Sequence, residues 1–124
     1  MLTGSCNCKA VTWEARGEIG QPAACHCTQC RKQSGHVWAS AYCRDEDLTI
    51  RGDVRWFSLT DTAKRGFCPI CGAFLFWKDH SEEWISFSMG SVDGPSALNL
   101  RMHIFTADKG DYYDIADNVP QREN

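Results

Sequence analysis

The sequence predicts an all-β domain on three observations. Short segments of alternating apolar and polar residues recur along its 124 residues, and glycine, proline and aspartate residues separate them. No long window shows helical periodicity. A chain of this length suits a single domain with one core. We place that domain at residues 1–117 and expect the polar segment 118–124 to form a frayed C-terminal tail.

The predicted strands follow one another in chain order. Val11, Trp13 and Ala15 alternate with polar residues, and from Val37 to Cys43 small and apolar residues share one strand face. The other candidates are aromatic or β-branched runs at 56–59, 74–77, 84–87 and 98–105.

Turn signals lie between these segments, as at Gly20 to Pro22, Gly52-Asp53 and Asp93 to Pro95. Helix is expected only over a turn or two, after Cys27 and around 45–47. The elements are therefore mainly short strands joined by turns.

The charge balance and the N-terminal segment argue against several protein classes. With 13 basic and 16 acidic residues the formal net charge is −3, and no basic run exceeds the pairs Arg31-Lys32 and Lys64-Arg65, which makes a nucleic-acid partner unfavourable. No apolar run approaches the roughly 20 residues of a membrane helix. The start, MLTGSCNCKA, has neither the charged nor the apolar segment of a secretion signal. We therefore expect a cytoplasmic protein with no membrane partner.

The cysteines predict metal binding. There are eight, at positions 6, 8, 25, 27, 30, 43, 68 and 71. A reducing compartment keeps thiols free, whereas disulfide frameworks belong to secreted chains. Pairs at C-x-C and C-x-x-C spacing also make poor disulfides and good metal chelates. A disulfide scaffold is the alternative that this reasoning disfavours.

The strongest signal is the segment CPICG at 68–72. A turn of this kind directs both sulfurs to one point and frees backbone N–H groups to donate to them, and its glycine suits a left-handed backbone conformation. Two thiolates leave a tetrahedral zinc half coordinated. Cys6 and Cys8 can complete the set begun by Cys68 and Cys71, because side chains at i and i+2 share a strand face. The four cysteines therefore predict a closed, structural zinc site.

Cys25, Cys27 and Cys30 remain, and their spacing lets all three sulfurs converge on a second ion. Three protein ligands are typical of a zinc site with an open coordination position. Cys43 is the alternative fourth ligand, and it would close the site and make the protein a structural two-zinc module. A lone strand cysteine in line with apolar residues is more often a buried small hydrophobe. His26, between two of the ligands, is expected to point to the opposite sheet face, as a core residue or a support for the ligands.

Four motifs together resemble the family of glutathione-dependent formaldehyde-activating enzymes and centromere protein V. They are G-x-C-x-C at 4–8, C-H-C-x-x-C-R at 25–31, F-C-P-x-C-G at 67–72 and H-I at 103–104. The resemblance implies a β-tent fold of antiparallel sheets. It also implies one structural zinc and one catalytic zinc per chain. Their ligands would be Cys6, Cys8, Cys68 and Cys71 for the first and Cys25, Cys27 and Cys30 for the second.

The three-cysteine set favours thiol chemistry over hydrolysis. Three thiolates and one Zn²⁺ carry a formal charge of −1, so the metal is a poor Lewis acid and a better partner for a further, soft thiol ligand. The resemblance implies that this thiol is glutathione and that its carbon partner is formaldehyde, as in S-(hydroxymethyl)glutathione synthase, or the reverse carbon–sulfur lyase step. The alternative is a non-catalytic two-zinc module that recruits a protein or nucleic acid. We expect the second zinc to be the more labile, since an open site exchanges its metal more readily.

Four further residues are candidates for substrate contact. Arg31 and Lys32 follow the third ligand and could offset its charge, although exposed basic side chains are usually solvated. His103, in the H-I motif, is a candidate proton shuttle beside the open position, and a histidine hydrogen-bonded within a strand is the alternative. Asp93 has a matching position in the family, and a turn-forming aspartate explains it equally well. The tryptophans at 38, 56, 77 and 84 are expected in the core or lining a pocket, most of them in the core.

Overall fold

The structure, a computed structural model, describes residues 1–124 and confirms the all-β class with small, mainly antiparallel sheets. It contains one α-helix, α1 (Thr28–Ser34), and no helix with the length and apolarity needed to cross a membrane. The strands are β1 (Leu2–Ser5), β2 (Thr12–Ala15), β3 (Gly20–Cys25), β4 (Trp38–Arg44), β5 (Leu48–Arg51), β6 (Arg55–Phe57), β7 (Ala63–Phe67), β8 (Phe74–Asp79), β9 (Trp84–Ser88) and β10 (Met102–Ile104). Short 3₁₀ helices occupy Asp45–Asp47, Met89–Ser91 and Thr106–Asp108.

The strands form two sheets. One has three strands in the order β1-β2-β5, and the other has seven in the order β10-β3-β4-β9-β8-β7-β6. All neighbours are antiparallel except β10 and β3, which run parallel with His103 opposite Ala24 and Ile104 opposite Cys25. Paired residues point to the same side of a sheet and successive residues to opposite sides. This register therefore decides which side chains around Cys25 share its face.

The main core contains residues of both sheets. Val11, Trp13 and Ala15 are all buried, which confirms the alternation predicted for this segment. The ring of Trp13 packs against Phe87 of the larger sheet, with ring centroids 4.5 Å apart. Gly4 lies opposite Trp13 in the β1–β2 ladder, and a Cβ there would come within 2.1 Å of the indole. Only glycine therefore fits at this point without moving the central core residue.

A smaller cluster joins β3, α1, β4 and β8. Its buried members are Cys25, Cys30, Trp38 and Phe74, and Trp77 packs against them partly buried. Trp38 and Phe74 stack face to face, with ring centroids 4.1 Å apart and planes inclined by 14°. Two sulfurs thus pack in one cluster with a stacked aromatic pair.

The tryptophans are less buried than expected. Trp38 is buried, whereas those at 56, 77 and 84 are half-buried. Basic side chains cover the outer rings, with Lys64 Nζ 4.3 Å from the ring centroid of Trp56 and the Arg44 guanidinium 5.5 Å from that of Trp84.

The helix predicted after Cys27 is α1. Cys27 is its N-cap, and the thiol accepts the Cys30 backbone N–H at 3.3 Å. The helix ends at Gly35, whose φ of 91° is left-handed and whose N–H donates to the Arg31 carbonyl at 2.8 Å. The turn expected around 45–47 is also present, as a 3₁₀ helix.

Two predicted strands are shorter than expected. Of the run 98–105 only Met102–Ile104 is a strand, because the N–H groups of Leu98 and Asn99 donate to side chains instead of to a neighbouring strand. The run 56–59 contributes only the end of β6, which stops at Phe57.

The C-terminal segment lies against β10 and is not frayed as expected. The His103 N–H donates to the Pro120 carbonyl at 2.9 Å, and the Arg122 N–H donates to the His103 carbonyl at 2.8 Å. Gln121 forms a parallel bridge with His103. Polar composition suggested fraying, but the unpaired backbone groups of an edge strand offer partners that composition does not reveal.

Candidate metal centres

Four cysteine sulfurs meet where the two sheets come together. Cys6 and Cys8 follow β1, and Cys68 and Cys71 follow β7, yet their sulfurs all lie within 4.8 Å of one another. The Sγ of Cys8 is 3.7 Å from that of Cys6 and 3.7 Å from that of Cys68. The set is the one that the sequence spacing predicts.

The turn that holds Cys6 and Cys8 differs from the extended strand we expected. β1 ends at Ser5, and the chain turns through Lys9, which has a left-handed φ of 65°. The Cys6 carbonyl accepts the Lys9 N–H at 3.2 Å, and the Cys6 thiol accepts the Val11 N–H at 3.3 Å. A compact turn, not the common face of a strand, therefore brings these two sulfurs together.

The segment 68–72 has the predicted knuckle geometry. The Cys68 sulfur accepts the N–H groups of Ile70 and Cys71 at 3.4 and 3.5 Å, and the Cys68 carbonyl accepts the Gly72 N–H at 2.8 Å. Gly72 has a φ of 79°, the left-handed conformation expected of it. A hydrogen bond from the backbone of Ala73 lowers the pKa of Cys71 to about 6. The turn thus favours thiolates, which are the form that binds metal.

These four sulfurs fit a zinc ion. A tetrahedron with Zn–S bonds of about 2.3 Å has sulfurs about 3.8 Å apart, and the 3.7 Å separations match that edge. The fourfold thiolate set is also the one that structural zinc sites use. The cluster could therefore hold zinc with no coordination position to spare.

Cys25, Cys27 and Cys30 form a second cluster, with sulfurs within 4.8 Å of one another. Cys25 ends β3, Cys27 caps α1 and Cys30 lies in its first turn, so a strand end and a helix start converge. A hydrogen bond from Cys30 and lesser contributions from Cys27 and Arg65 lower the pKa of Cys25 to about 6 against the effect of burial. The same interactions with Cys25 raise the pKa of Cys30. One thiol is thus prepared to ionise first.

Cys43 does not belong to this cluster. It is fully buried in the main core with apolar residues such as Phe87 and Ile85. Burial raises its pKa to about 11, which keeps the thiol protonated. The alternative in which Cys43 closes the second site therefore finds no support in the structure, and the three sulfurs have no fourth protein ligand within reach.

A cavity of about 510 Å³ opens beside the three sulfurs. All three cysteines contribute to its wall, and aromatic, hydroxyl and basic side chains from six strands complete it. The other lining residues are Ala23, Thr28, Gln29, Trp38, Ser40, Thr60, Thr62, Ala63, Arg65, Trp77, Ser86, Ile104, Phe105 and Asp108. A volume of this size suits a small molecule.

Arg65 is a cavity residue that the sequence reasoning missed. Its side chain is only 6% exposed, its Nε has no hydrogen-bond partner, and no carboxylate of the chain pairs with it. It lies on β7 opposite Trp77, another wall residue. The available signal was its position two residues after Ala63 in a strand that runs into the CPICG segment. In the sequence it forms a basic pair with Lys64, which does not indicate that one of the two side chains is buried.

Arg31 and Lys32 do not take the place predicted for them. Neither lines the cavity. Arg31 lies over the 3₁₀ turn that follows β10, where its Nε donates to the Asp108 carbonyl at 3.1 Å, and Lys32 is exposed. We expected these two residues to offset the negative charge of the three thiolates. Arg65, which lines the cavity, is the basic residue placed to do so.

His103 also lies away from the three sulfurs. It pairs with Ala24 in the β3–β10 ladder, and Ala24 faces the opposite side of the sheet from Cys25. The structure does not bring His103 to the cavity, so its predicted role as a proton shuttle at the open position has no geometric support. The register, which sequence spacing does not reveal, explains the difference.

On that opposite face a chain of hydrogen bonds that runs through the buried His103 and His26 supports the cysteine segment. His103 Nε2 lies 3.0 Å from both Asp117 carboxylate oxygens, and His103 Nδ1 lies 2.9 Å from His26 Nε2. His26 Nδ1 meets the Tyr113 hydroxyl at 2.5 Å. Burial, then the neighbouring His103, lowers the pKa of His26. His26 thus has the supporting position predicted for it, between Cys25 and Cys27.

Asp93 does not line the cavity beside the three sulfurs. Its carboxylate accepts the Ser5 hydroxyl at 2.9 and 3.0 Å, and its N–H donates to the Thr3 carbonyl at 2.8 Å. It lines a separate cavity of about 410 Å³ that includes Cys6 but none of the three-cysteine set. These contacts favour the turn-forming role over substrate contact at the second cluster.

Comparisons with known proteins identify a family and a similar crystal structure. The model of the family described as "Glutathione-dependent formaldehyde-activating enzyme" matches residues 1–108. A Rhodobacter sphaeroides protein of known crystal structure is similar, with 26% sequence identity and a TM-score of 0.60 over 77% of this chain and 91% of its own. No curated protein matches. Because the family match spans both cysteine clusters and most of the chain, the protein belongs to the glutathione-dependent formaldehyde-activating enzyme family.

Proposed function

We propose that the protein joins a thiol to a small aldehyde, or catalyses the reverse carbon–sulfur lyase step, at the three-cysteine cluster. The observation that carries this proposal is three converging thiols with no fourth protein ligand, opening onto a cavity large enough for a small molecule. Family membership favours glutathione as the thiol and formaldehyde as the aldehyde. The relation to the centromere protein V branch stays a prediction.

The two cysteine clusters and Arg65 would have separate roles in this reaction. Cys25, Cys27 and Cys30 would hold a zinc ion, and the four-cysteine cluster would hold a second, structural one. When bound, the ion of the open site supplies positive charge that lowers the pKa of a substrate thiol. The guanidinium of Arg65 supplies one further positive charge, which offsets the formal −1 of the metal with its three thiolates.

The reaction balances without an oxidant or a reductant. The thiol loses its proton, its sulfur forms a bond to the aldehyde carbon, and the carbonyl electron pair moves to the oxygen, which takes up a proton. Formaldehyde and glutathione would give S-(hydroxymethyl)glutathione, and the reverse reaction would release both. The apolar wall formed by Trp38, Trp77 and Ile104 would keep bulk water from the aldehyde.

The cytoplasm is the compartment we propose. All eight cysteines are free thiols in the structure, and both clusters need them in the reduced form. Glutathione is also abundant in reducing compartments.

Exchange spectroscopy by NMR tests the proposal directly. The rate of adduct formation and release would be measured for glutathione and other thiols with formaldehyde and other aldehydes, with and without zinc-loaded protein. We expect acceleration by the wild type and by Cys43→Ser, and none by Cys30→Ser. Equal rates with and without protein across this panel would contradict the proposal. Affinity for a DNA duplex at moderate salt, with no acceleration, would instead support the non-catalytic two-zinc module.

A further inference from the structure

We propose that Phe105 is a specificity-determining residue at the mouth of the cavity, where its ring excludes aldehydes with a bulky substituent from the three-cysteine cluster. The inference rests on the proposed function, because it takes the aldehyde to react at this cluster. It adds which side chain selects the aldehyde and by which property, the size of the group attached to the carbonyl carbon.

The first observation is the backbone conformation of Phe105. Its φ of 55° and ψ of 40° are left-handed, a conformation that glycine adopts freely and that is unfavourable for a bulky residue. The surrounding hydrogen bonds hold it in place. The Asp108 N–H donates to the Phe105 carbonyl at 3.1 Å, the Thr106 N–H donates to the Arg122 carbonyl at 3.1 Å, and Arg31 Nε donates to the Asp108 carbonyl. Strain that the neighbouring structure maintains in this way is concentrated at functional sites.

Packing in the core does not explain why a phenylalanine is kept at this position. The side chain is 39% exposed, it belongs to neither apolar cluster, and no other aromatic ring packs against it. Instead the side chain lines the cavity. Successive residues of an extended strand point to opposite sides of a sheet, yet Ile104 and Phe105 both line this cavity. The left-handed conformation directly after Ile104 accounts for this arrangement.

Phe105 lies where the cavity meets the solvent. Most cavity residues are buried or half-buried, and the five exposed ones define the mouth: Thr28, Thr60, Thr62, Phe105 and Asp108. Phe105 is the only aromatic side chain among them and the largest. Its ring therefore narrows an entrance that is otherwise lined by smaller, polar side chains.

The strand pairing shows what lies inside the mouth. Cys25 is paired with Trp38 of β4 on one side and with Ile104 of β10 on the other, and paired residues point to the same side of a sheet. An aldehyde that reaches a sulfur held beside Cys25 therefore has apolar side chains on both sides, and Phe105 follows Ile104 along this wall. A hydrogen on the carbonyl carbon needs no room beside the ring. A branched alkyl group needs the space that the ring occupies.

Two aldehydes of different bulk test the selection. NMR exchange spectroscopy on the zinc-loaded protein with glutathione would compare formaldehyde with 2-methylpropanal. The acceleration is the rate with protein divided by the rate without it, so the intrinsic reactivity of each aldehyde cancels. We expect the wild-type acceleration to be at least about tenfold larger for formaldehyde, and Phe105→Ala and Phe105→Gly to reduce this ratio to about twofold. Phe105→Tyr, which keeps the ring, should keep the ratio.

Thermal unfolding gives a readout that does not depend on activity. Phe105→Gly should melt about 3 °C higher than Phe105→Ala, because both variants lack the ring and only glycine relieves the left-handed strain. Ala97 is the matched control, since it is exposed, lines neither of the two cavities and has a similar φ of 58°. Ala97→Gly should raise the melting temperature by about the same amount and leave the aldehyde ratio unchanged.

Each outcome supports or overturns a specific statement. A wild type that accelerates the reaction of neither aldehyde overturns the proposed function and this inference with it. A wild type that accelerates both equally, or a ratio that is unchanged in Phe105→Ala and Phe105→Gly, overturns the selection by Phe105 and leaves the proposed function standing. If these variants need more glutathione with both aldehydes at an unchanged ratio, the ring contacts the thiol and aldehyde selection is wrong. A Phe105→Gly variant that melts no higher than Phe105→Ala overturns the strain on which the proposal rests.

Discussion

The two cysteine clusters use the same ligand chemistry but join different parts of the chain. The four-cysteine cluster takes one pair from the end of β1 in the smaller sheet and another from the end of β7 in the larger sheet, sixty residues away. The three-cysteine cluster comes from residues 25–30 alone, and its open side faces a cavity. The first cluster therefore connects the two sheets, whereas the second connects only the end of β3 to the start of α1.

In this protein the complete set of four ligands joins segments that are distant in the sequence, whereas the incomplete set of three comes from one short segment. A set that joins distant segments gains the most by being complete, because each bond to metal contributes free energy of folding. A local set is already held by its strand end, its helix cap and the Trp38–Phe74 stack, so it can leave a position for substrate. Substitutions at four positions test this difference between the two clusters.

The largest effect is expected for Cys68→Ser. Loss of one ligand should abolish the structural zinc and cooperative folding, since zinc contributes on the order of 10 kcal/mol in small zinc-dependent domains. Thermal unfolding followed by circular dichroism, with zinc analysis, would measure it. A variant that melts like the wild type would show that the sheets hold together without this cluster.

Cys30→Ser is expected to separate function from fold. The zinc content should fall from two equivalents to about one, because two thiolates rarely retain zinc. Acceleration of thiol–aldehyde exchange should disappear while the melting curve changes little. Unfolding as complete as that of Cys68→Ser would mean that the second cluster is structural as well.

His103→Gln is expected to weaken the support behind the cysteine segment. The substitution interrupts the hydrogen-bond chain between the exposed Asp117 and the buried His26, at a cost of about 1–3 kcal/mol, mainly because the His26 imidazole loses this partner. Chemical denaturation would measure the loss, with both zinc ions retained. If stability is unchanged while exchange activity is lost, the original prediction of a proton shuttle returns.

The smallest effect is expected for Cys43. Cys43→Ala should cost about 1 kcal/mol, as for other small truncations in a core, and should leave zinc content and activity intact. Because burial raises its pKa to about 11, the wild-type thiol should also resist iodoacetamide at pH 8, where few molecules are ionised. Peptide mass spectrometry after brief alkylation tests this, and early labelling of Cys43 would contradict its placement in the core.

Sequence reasoning performed best where the determinants are local. The knuckle at 68–72 and the helix after Cys27 follow from a few neighbouring residues, and both form as predicted. The grouping of all seven cysteines in the two clusters also agrees, although a turn places Cys6 and Cys8 where we expected a strand. The predicted zinc site does not depend on this difference, because a strand and a turn can both bring the two sulfurs close together.

The parts that sequence reasoning could not supply depend on strand register and on distant partners. Whether His103 faces the sulfurs or His26 depends on which residue of β3 it pairs with, and spacing along the chain does not contain that information. The pair Lys64-Arg65 does not reveal which side chain is buried. The pairing of β7 with β8 places Arg65 opposite Trp77, on the side of the cavity. Both residues are chemically informative only once the ladder is known.

The backbone pairing of residues 120–122 with β10 has a practical consequence. An uncovered outer strand invites pairing with a second molecule, and here the last residues occupy that edge at Pro120 and Arg122. Trimming the chain after Tyr113 would expose the row of amides along Met102–Ile104 and free His103 from Asp117. Such a shortened form would be prone to self-association. Because His103 contacts both Asp117 and His26, the loss of Asp117 would also weaken the support of Cys25 and Cys27.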